Sequence, residues 1–205
     1  MLRRPFVSWI GAATSLNRVP EGSVPEVAFL GRSNVGKSSL INALAGSAVA
    51  RVSSSPGRTR AIHFMDVAFD GAKNPVELRL VDLPGYGYAK VSRAEANEWP
   101  KFINPYLTDR PQLVLALVLV DSGIGPQPKD VQMIDWLKNV QRSVQTPLNF
   151  MVVATKADRR SSKVLSASLS QMKEVFGVQP MPVSAKTGAQ IPELWFKIRR
   201  ACGVK

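Results

Sequence analysis

The most specific chemistry in this chain is carried by eight residues, Gly31-Arg32-Ser33-Asn34-Val35-Gly36-Lys37-Ser38. They fit the pattern G-x-x-x-x-G-K-S/T. Glycines at 31 and 36 let the backbone curl so that successive N–H groups point inward. Those donors, with the positive end of a following helix, cradle a polyphosphate. Lys37 adds a point charge at the β- and γ-phosphates, and the Ser38 hydroxyl is placed to bind Mg²⁺. Ser39 follows in the first helical turn and joins the candidate set. A glycine turn that merely carries a lysine is the plain alternative, and the flanks argue against it. Val27–Leu30 reads as a buried strand, and Ser39–Leu44 has apolar residues at helical spacing.

Three further short motifs each follow an apolar run: Asp82-Leu83-Pro84-Gly85, Thr155-Lys156-Ala157-Asp158, and Val183-Ser184-Ala185-Lys186. The elements that must position them alternate. Strands are expected at 27–30, at 62–69 and 76–81 as a hairpin around the turn residues 70–75, at 113–120, at 149–154 and at 181–183. The continuous apolar run Leu113–Val120 suits a strand buried on both faces. Helices are expected after Ser38, from near Arg93 behind the capping box Ser92–Glu95, along Met133, Leu137, Val140 and Val144, along Leu165–Phe176 up to Gly177, and from about Ile191. Pro100 and Pro105 should kink or end the second of these. Residues 1–25 read as irregular, and 46–60, with Pro56-Gly57-Arg58-Thr59, as a loop. The order predicts an α/β fold: a doubly wound, mostly parallel six-stranded sheet with one antiparallel hairpin strand and helices on both faces. The motifs then all lie at carboxyl ends of strands, the edge where open α/β sheets bind ligands. His63, the single histidine, reads as an ordinary strand residue.

Composition bounds the partners. The chain has 205 residues, enough for one sizeable domain, and no apolar run approaches the length of about 18 residues that a membrane span needs. Met1–Val7 is basic, but no apolar region of secretory type follows it. One cysteine, Cys202, excludes an internal disulfide and suits a reducing compartment. The net charge is +12, and from Met151 onward ten Lys or Arg stand against three acids, leaving +7 of it there. Such asymmetry suggests a polyanionic partner, with a basic surface lacking any specific ligand as the alternative.

Together the motifs resemble those of translation-factor-type GTPases over about Val24–Ala201. The resemblance implies GTP or GDP as ligand and Mg²⁺ held by Ser38, Thr59 and Asp82. It puts Lys37, Thr59 and the Gly85 N–H at the γ-phosphate, with Gly57 and Arg58 beside them. It assigns guanine reading to Asp158, with Lys156 packed along the base and the Ser184–Ala185 backbone at the guanine carbonyl. Adenine offers neither donor that the Asp158 carboxylate needs, so ATP should be rejected. G-R-S-N-V-G-K-S-S-L-I-N-A-L, S-S-S-P-G-R-T, D-L-P-G-Y-G-Y-A, T-K-A-D and S-A-K are more closely similar to the EngB (YihA/YsxC) family of ribosome-assembly GTPases, within the TrmE-Era-EngA-EngB-like branch. That family implies a role in maturation of the large ribosomal subunit, with the subunit or its precursor and its rRNA as partner and no membrane contact. It implies a cytoplasmic place in a bacterium, or an organellar matrix in a eukaryote. A monomer is expected, with an N-terminal extension at 1–23 and the GTP-binding domain at 24–205.

Two departures from the general GTPase pattern matter. Thr155 replaces the usual Asn of N-K-x-D, so the base-side amide contact becomes a hydroxyl. Tyr86 stands where many GTPases carry a water-orienting glutamine, so intrinsic hydrolysis should be slow. Asn34 resembles a residue that binds K⁺ in some relatives, where the ion stands in for an arginine finger; an Asn stabilising the loop turn is the equal alternative. A signalling or septation-type switch that binds a protein without RNA contact is the competing functional reading. An ATP-using kinase is disfavoured by Thr155–Asp158 and Ser184–Lys186.

Overall fold

A computed structural model describes residues 3–50, 61–71, 73–86, 103–143 and 148–204. Its centre is a seven-stranded sheet built from β1 (Pro5–Ala13), β2 (Glu26–Gly31), β3 (Ile62–Phe69), β4 (Leu78–Asp82), β5 (Leu113–Asp121), β6 (Asn149–Thr155) and β7 (Met181–Pro182). The spatial order is β1-β3-β4-β2-β5-β6-β7. From β4 to β7 every neighbouring pair is parallel, while β3 runs antiparallel to both β4 and β1.

Among the described residues, five helices cover the two faces: α1 (Lys37–Ala45), α2 (residues 103–109), α3 (Pro128–Ser143), α4 (Ser162–Phe176) and α5 (Ile191–Ala201). β5 shows why its sequence is apolar throughout. Ala116, Val118 and Val120 enter the core beneath α2, α3 and α4, whereas Leu115, Leu117 and Leu119 enter the core beneath α1 and α5. A strand feeding two cores needs apolar side chains at both parities. The anticipated helical faces pack as expected, with Met133, Leu137 and Val140 of α3, Met172 and Phe176 of α4, and Leu194, Trp195 and Ile198 of α5 all buried. α4 ends at Gly177, whose φ of 69° lets its N–H return to the Lys173 carbonyl.

Two expectations change. Residues 5–13 are not irregular: they form β1, which extends the six predicted strands to seven. The register jumps between Trp9 and Gly11, a bulge that disrupts alternation and hides the strand in the sequence. Pro105 does not end a helix, since 103–109 are helical. The capping box at 92–95, Pro100, Val144 and the loop at 51–60 lie outside the described residues.

At the end of β2 remote from the glycine loop, buried Glu26 accepts from the Tyr106 hydroxyl at 2.7 Å and from Arg110 at 2.7 and 3.0 Å. Both donors sit on or just past α2, so a satisfied buried network anchors that helix to the strand that carries the loop.

Candidate nucleotide-binding site

The glycine loop leaves β2 at Gly31 and enters α1 at Lys37. A Cβ on Gly31 would lie 2.7 Å from Val35 Cγ1 and 3.2 Å from Leu119 Cβ, so only glycine fits there. Gly36 has φ 102°, and Asn34 adopts the left-handed region at φ 61°. The loop thus folds over Val35, which is buried, while Lys37, Ser38 and Ser39 form the first turn of α1. The turn's N–H groups and dipole face the carboxyl edge of the sheet.

Asp82 ends β4 beside this loop, and its carboxylate is hydrogen-bonded to Lys37 Nζ, both side chains about nine-tenths buried. The following residues track the loop: Leu83 N–H donates to the Phe29 carbonyl at 3.3 Å and Tyr86 N–H to the Gly31 carbonyl at 3.2 Å. Pro84 and Gly85 lie between these ties. Arg32 bridges to Tyr86 on the same path. The Tyr86 ring turns inward, and its hydroxyl donates to Asp130 Oδ1 at 3.0 Å. Burial pushes this phenol well above its ordinary range, with the Asp130 charge adding to the effect. His63 stands directly across from Asp82 in the β3–β4 register, a carboxylate neighbour that sequence distance concealed.

The third and fourth motifs meet at the other end of the loop. Thr155 closes β6, and its buried hydroxyl donates to the Val35 carbonyl at 2.6 Å. The hydrogen of this hydroxyl ties β6 to the glycine loop. Lys156, at φ 57°, donates to the Asn34 carbonyl at 2.7 Å and to Asp121 Oδ2 at 2.7 Å. Asp158 sits exposed in a short 3₁₀ turn, and Ser184 Oγ donates to its Oδ1 at 2.6 Å. That bond, helped by Lys186 and Arg159, holds the Asp158 carboxyl below the usual range. Buried Ser184 also accepts from Thr187 N–H at 3.1 Å, while Ala157 N–H donates to the Val183 carbonyl at 3.1 Å. Val183, Ser184, Ala185 and Lys186 thus follow β7 beside the Thr155–Asp158 turn.

All four described motifs converge on one sheet edge, with an ammonium, N–H donors and an ionised carboxylate as their chemistry. A model of the 50S ribosome-binding GTPase family matches residues 26–156. The chain is 46% identical over 196 residues to the probable GTP-binding protein EngB of Acidobacterium capsulatum, covering 95% of this chain and 90% of that one. It is 46% identical over 201 residues to the same protein of Koribacter versatilis, covering 98% and 96%.

The chain belongs to the EngB family of GTP-binding proteins.

EngB is a GTPase family, and its fold is the one found here. A crystal structure of a probable EngB superposes with TM-score 0.63 at 21% identity, covering 87% of this chain and 98% of that one. Aquifex aeolicus Era bound to GDP·AlF₄⁻ superposes with TM-score 0.66 at 24% identity, covering 88% and 57%. At those identities the likeness speaks for the fold alone.

The residues present fit Mg²⁺. Among the described residues no group of three or more His, Cys, Asp or Glu side chains is placed to hold a metal. A Mg²⁺ ion held largely by phosphate oxygens and waters needs no such cage; Asp82, beside Lys37, would supply a carboxylate and Ser38 a hydroxyl at the phosphate end. Gly57, Arg58 and Thr59 lie outside the described residues. Asp121, which holds the predicted site residue Lys156, and Asp130, which holds Tyr86, belong to no motif of the sequence. The position of Asp121 at the carboxyl end of an apolar strand was the available signal.

Proposed function

We propose that this EngB-family GTPase hydrolyses GTP slowly and that its GTP form acts in assembly of the large ribosomal subunit. The observation that carries the slow step is the orientation of Tyr86. The first side chain after Gly85 is buried with its hydroxyl on Asp130, so it positions no water. Acceleration then has to come from a partner.

In this reading the 31–36 backbone and Lys37 hold the β- and γ-phosphates, and Ser38, Thr59 and Asp82 would hold Mg²⁺, which would supply charge neutralisation at the phosphates. Thr59 and the Gly85 N–H are assigned to the γ-phosphate, with Gly57 and Arg58 among the nucleotide contacts. Asp158 reads the guanine edge, held in place and ionised by the Ser184 hydroxyl. Lys156 lies along the base, and the Ser184–Ala185 backbone meets the guanine carbonyl.

The family description supports a ribosomal partner, and the charge distribution supports RNA. The C-terminal basic surplus divides between two faces. Arg159, Arg160 and Lys163 are exposed beside Asp158 and at the start of α4, whereas Lys197 and Arg200 are exposed on α5 across the sheet. Arg199 stacks over the Phe69 ring at 5.1 Å and serves the core edge instead. The group beside Asp158 adjoins the nucleotide, so it is the better placed for a nucleotide-dependent contact. Single-turnover GTP hydrolysis with and without large subunits tests the reading. Slow turnover that the subunit accelerates supports it; fast intrinsic turnover that the subunit leaves unchanged contradicts it.

A further inference from the structure

We propose that Asp121 is a positioning residue for nucleotide binding, holding the Lys156 ammonium on the glycine loop so that the base-reading turn and the phosphate-binding loop act as one rigid unit. This rests on the reading of Lys156 and Asp158 as base-side residues.

Asp121 is the last residue of β5, between β2, which carries the glycine loop, and β6, which carries the base-reading turn. Its register partner on β6 is Thr155. Both carboxylate oxygens are engaged: Oδ2 accepts from Lys156 Nζ at 2.7 Å, and Oδ1 accepts from Gly123 N–H at 2.8 Å. The pair is largely buried, with side chains 13% and 22% exposed for Asp121 and Lys156. The same ammonium donates to the Asn34 carbonyl at 2.7 Å. So the positive charge of Lys156 is spent within the protein, on one carboxylate and one loop carbonyl. Its stem is what remains for a base.

The arrangement also bears on backbone strain. Asn34 and Lys156 are two of four non-glycine residues with positive φ among the described residues, at 61° and 57°. One ammonium joins them, and the adjacent Thr155 hydroxyl ties the next loop carbonyl, that of Val35. Conformations of this kind persist where surrounding contacts over-determine them. With the Asp121 charge removed, the ammonium loses this anionic partner, and the loop and turn lose a charge-assisted link. The parts affected face the base and the loop backbone, which GTP and GDP share. Lys37 and Asp82, at the γ-phosphate end, are untouched.

The test uses Asp121→Asn, which preserves size and an acceptor for Gly123 N–H while removing the charge. GDP and a non-hydrolysable GTP analogue should each bind about tenfold more weakly, the scale of one charge-assisted hydrogen bond. Their affinity ratio and turnover at saturating GTP should hold within about twofold, and the melting point of the nucleotide-free protein should change little. Combined with Lys156→Gln, Asp121→Asn should add almost nothing further, because both remove the same link. Unchanged nucleotide affinities, selective loss of the GTP analogue alone, or additive losses in the double variant would each overturn the proposal. A parallel Asp158→Asn variant separates the two readings. If it leaves guanine preference intact while Asp121→Asn weakens both nucleotides, the base-side assignment falls and the positioning role stands.

Discussion

Tyr86 donates its hydroxyl to Asp130 Oδ1 across 3.0 Å, and both residues are buried. Asp130 in turn accepts from Gln127 N–H at 3.1 Å, closing the start of α3. The residue that follows the Asp82–Gly85 motif is therefore fastened to a helix rather than aimed at the phosphates. Tyr86→Phe should leave intrinsic GTP turnover within about twofold and cost about 1–3 kcal/mol of stability, since a buried carboxylate loses its donor. Burial raises the Asp130 carboxyl above its ordinary value. A group that holds its proton more tightly when folded favours the native state at acid pH, and that contribution is lost as pH rises past the unfolded value of about 4. Denaturation of wild type and Asp130→Asn should thus show a stability difference that moves against the wild type as pH rises above about 4. A Tyr86→Phe protein with turnover abolished would give the phenol a catalytic role denied here.

Guanine preference should rest on Asp158. Asp158→Asn should weaken GTP binding by about 2–4 kcal/mol and shift preference towards xanthine nucleotides, whose ring presents an acceptor where guanine has an amino group. The Ser184 bond keeps the Asp158 carboxyl below its ordinary range. A depressed carboxyl contributes its part above the unfolded value and loses it as pH falls through the folded one. In carboxyl NMR titrations Ser184→Ala should move this group upward, towards about 4. An unmoved titration, or unaltered GTP affinity in Asp158→Asn, would take the residue out of the base site.

Phosphate and metal binding should rest on Lys37 and Ser38. Lys37→Ala should abolish nucleotide binding measured by fluorescence, also leaving Asp82 without its ammonium partner. Ser38→Ala should keep GDP binding and lose most of its dependence on Mg²⁺. Both proteins hydrolysing GTP normally while folded would show the loop to be misread.

Potassium is a separate question. The Asn34 carbonyl is held by Lys156, while its side chain is exposed. We expect turnover to be faster in K⁺ than in Na⁺ at equal ionic strength. Equal rates would leave Asn34 as a turn residue only, in keeping with its φ of 61°.

Much of this site was legible because its motifs combine residue chemistry with a fixed place at the end of a strand. The Gly31–Ser38 loop needed only its own eight residues and their flanks. β1 was not legible, since its partner Phe69 is 64 residues from Pro5 and its bulge at Ile10 breaks the period of two. The Thr155 bond to Val35 spans 120 residues, and nothing local in the sequence announces it. Asp121 belongs to no motif; only the adjacency of β5 and β6 gives it Lys156.

Sedimentation with large ribosomal subunits measures the nucleotide-dependent contact itself. Lys or Arg contacts to phosphate release counterions, so binding should fall steeply between about 50 and 200 mM salt. Nucleotide preference requires contacts that differ between the two states. The protein should pellet with the large subunit in the presence of a non-hydrolysable GTP analogue, less with GDP, and less again when Arg159, Arg160 and Lys163 are changed to Glu. Association indifferent to both nucleotide and salt would contradict it and point to a protein partner without RNA contact.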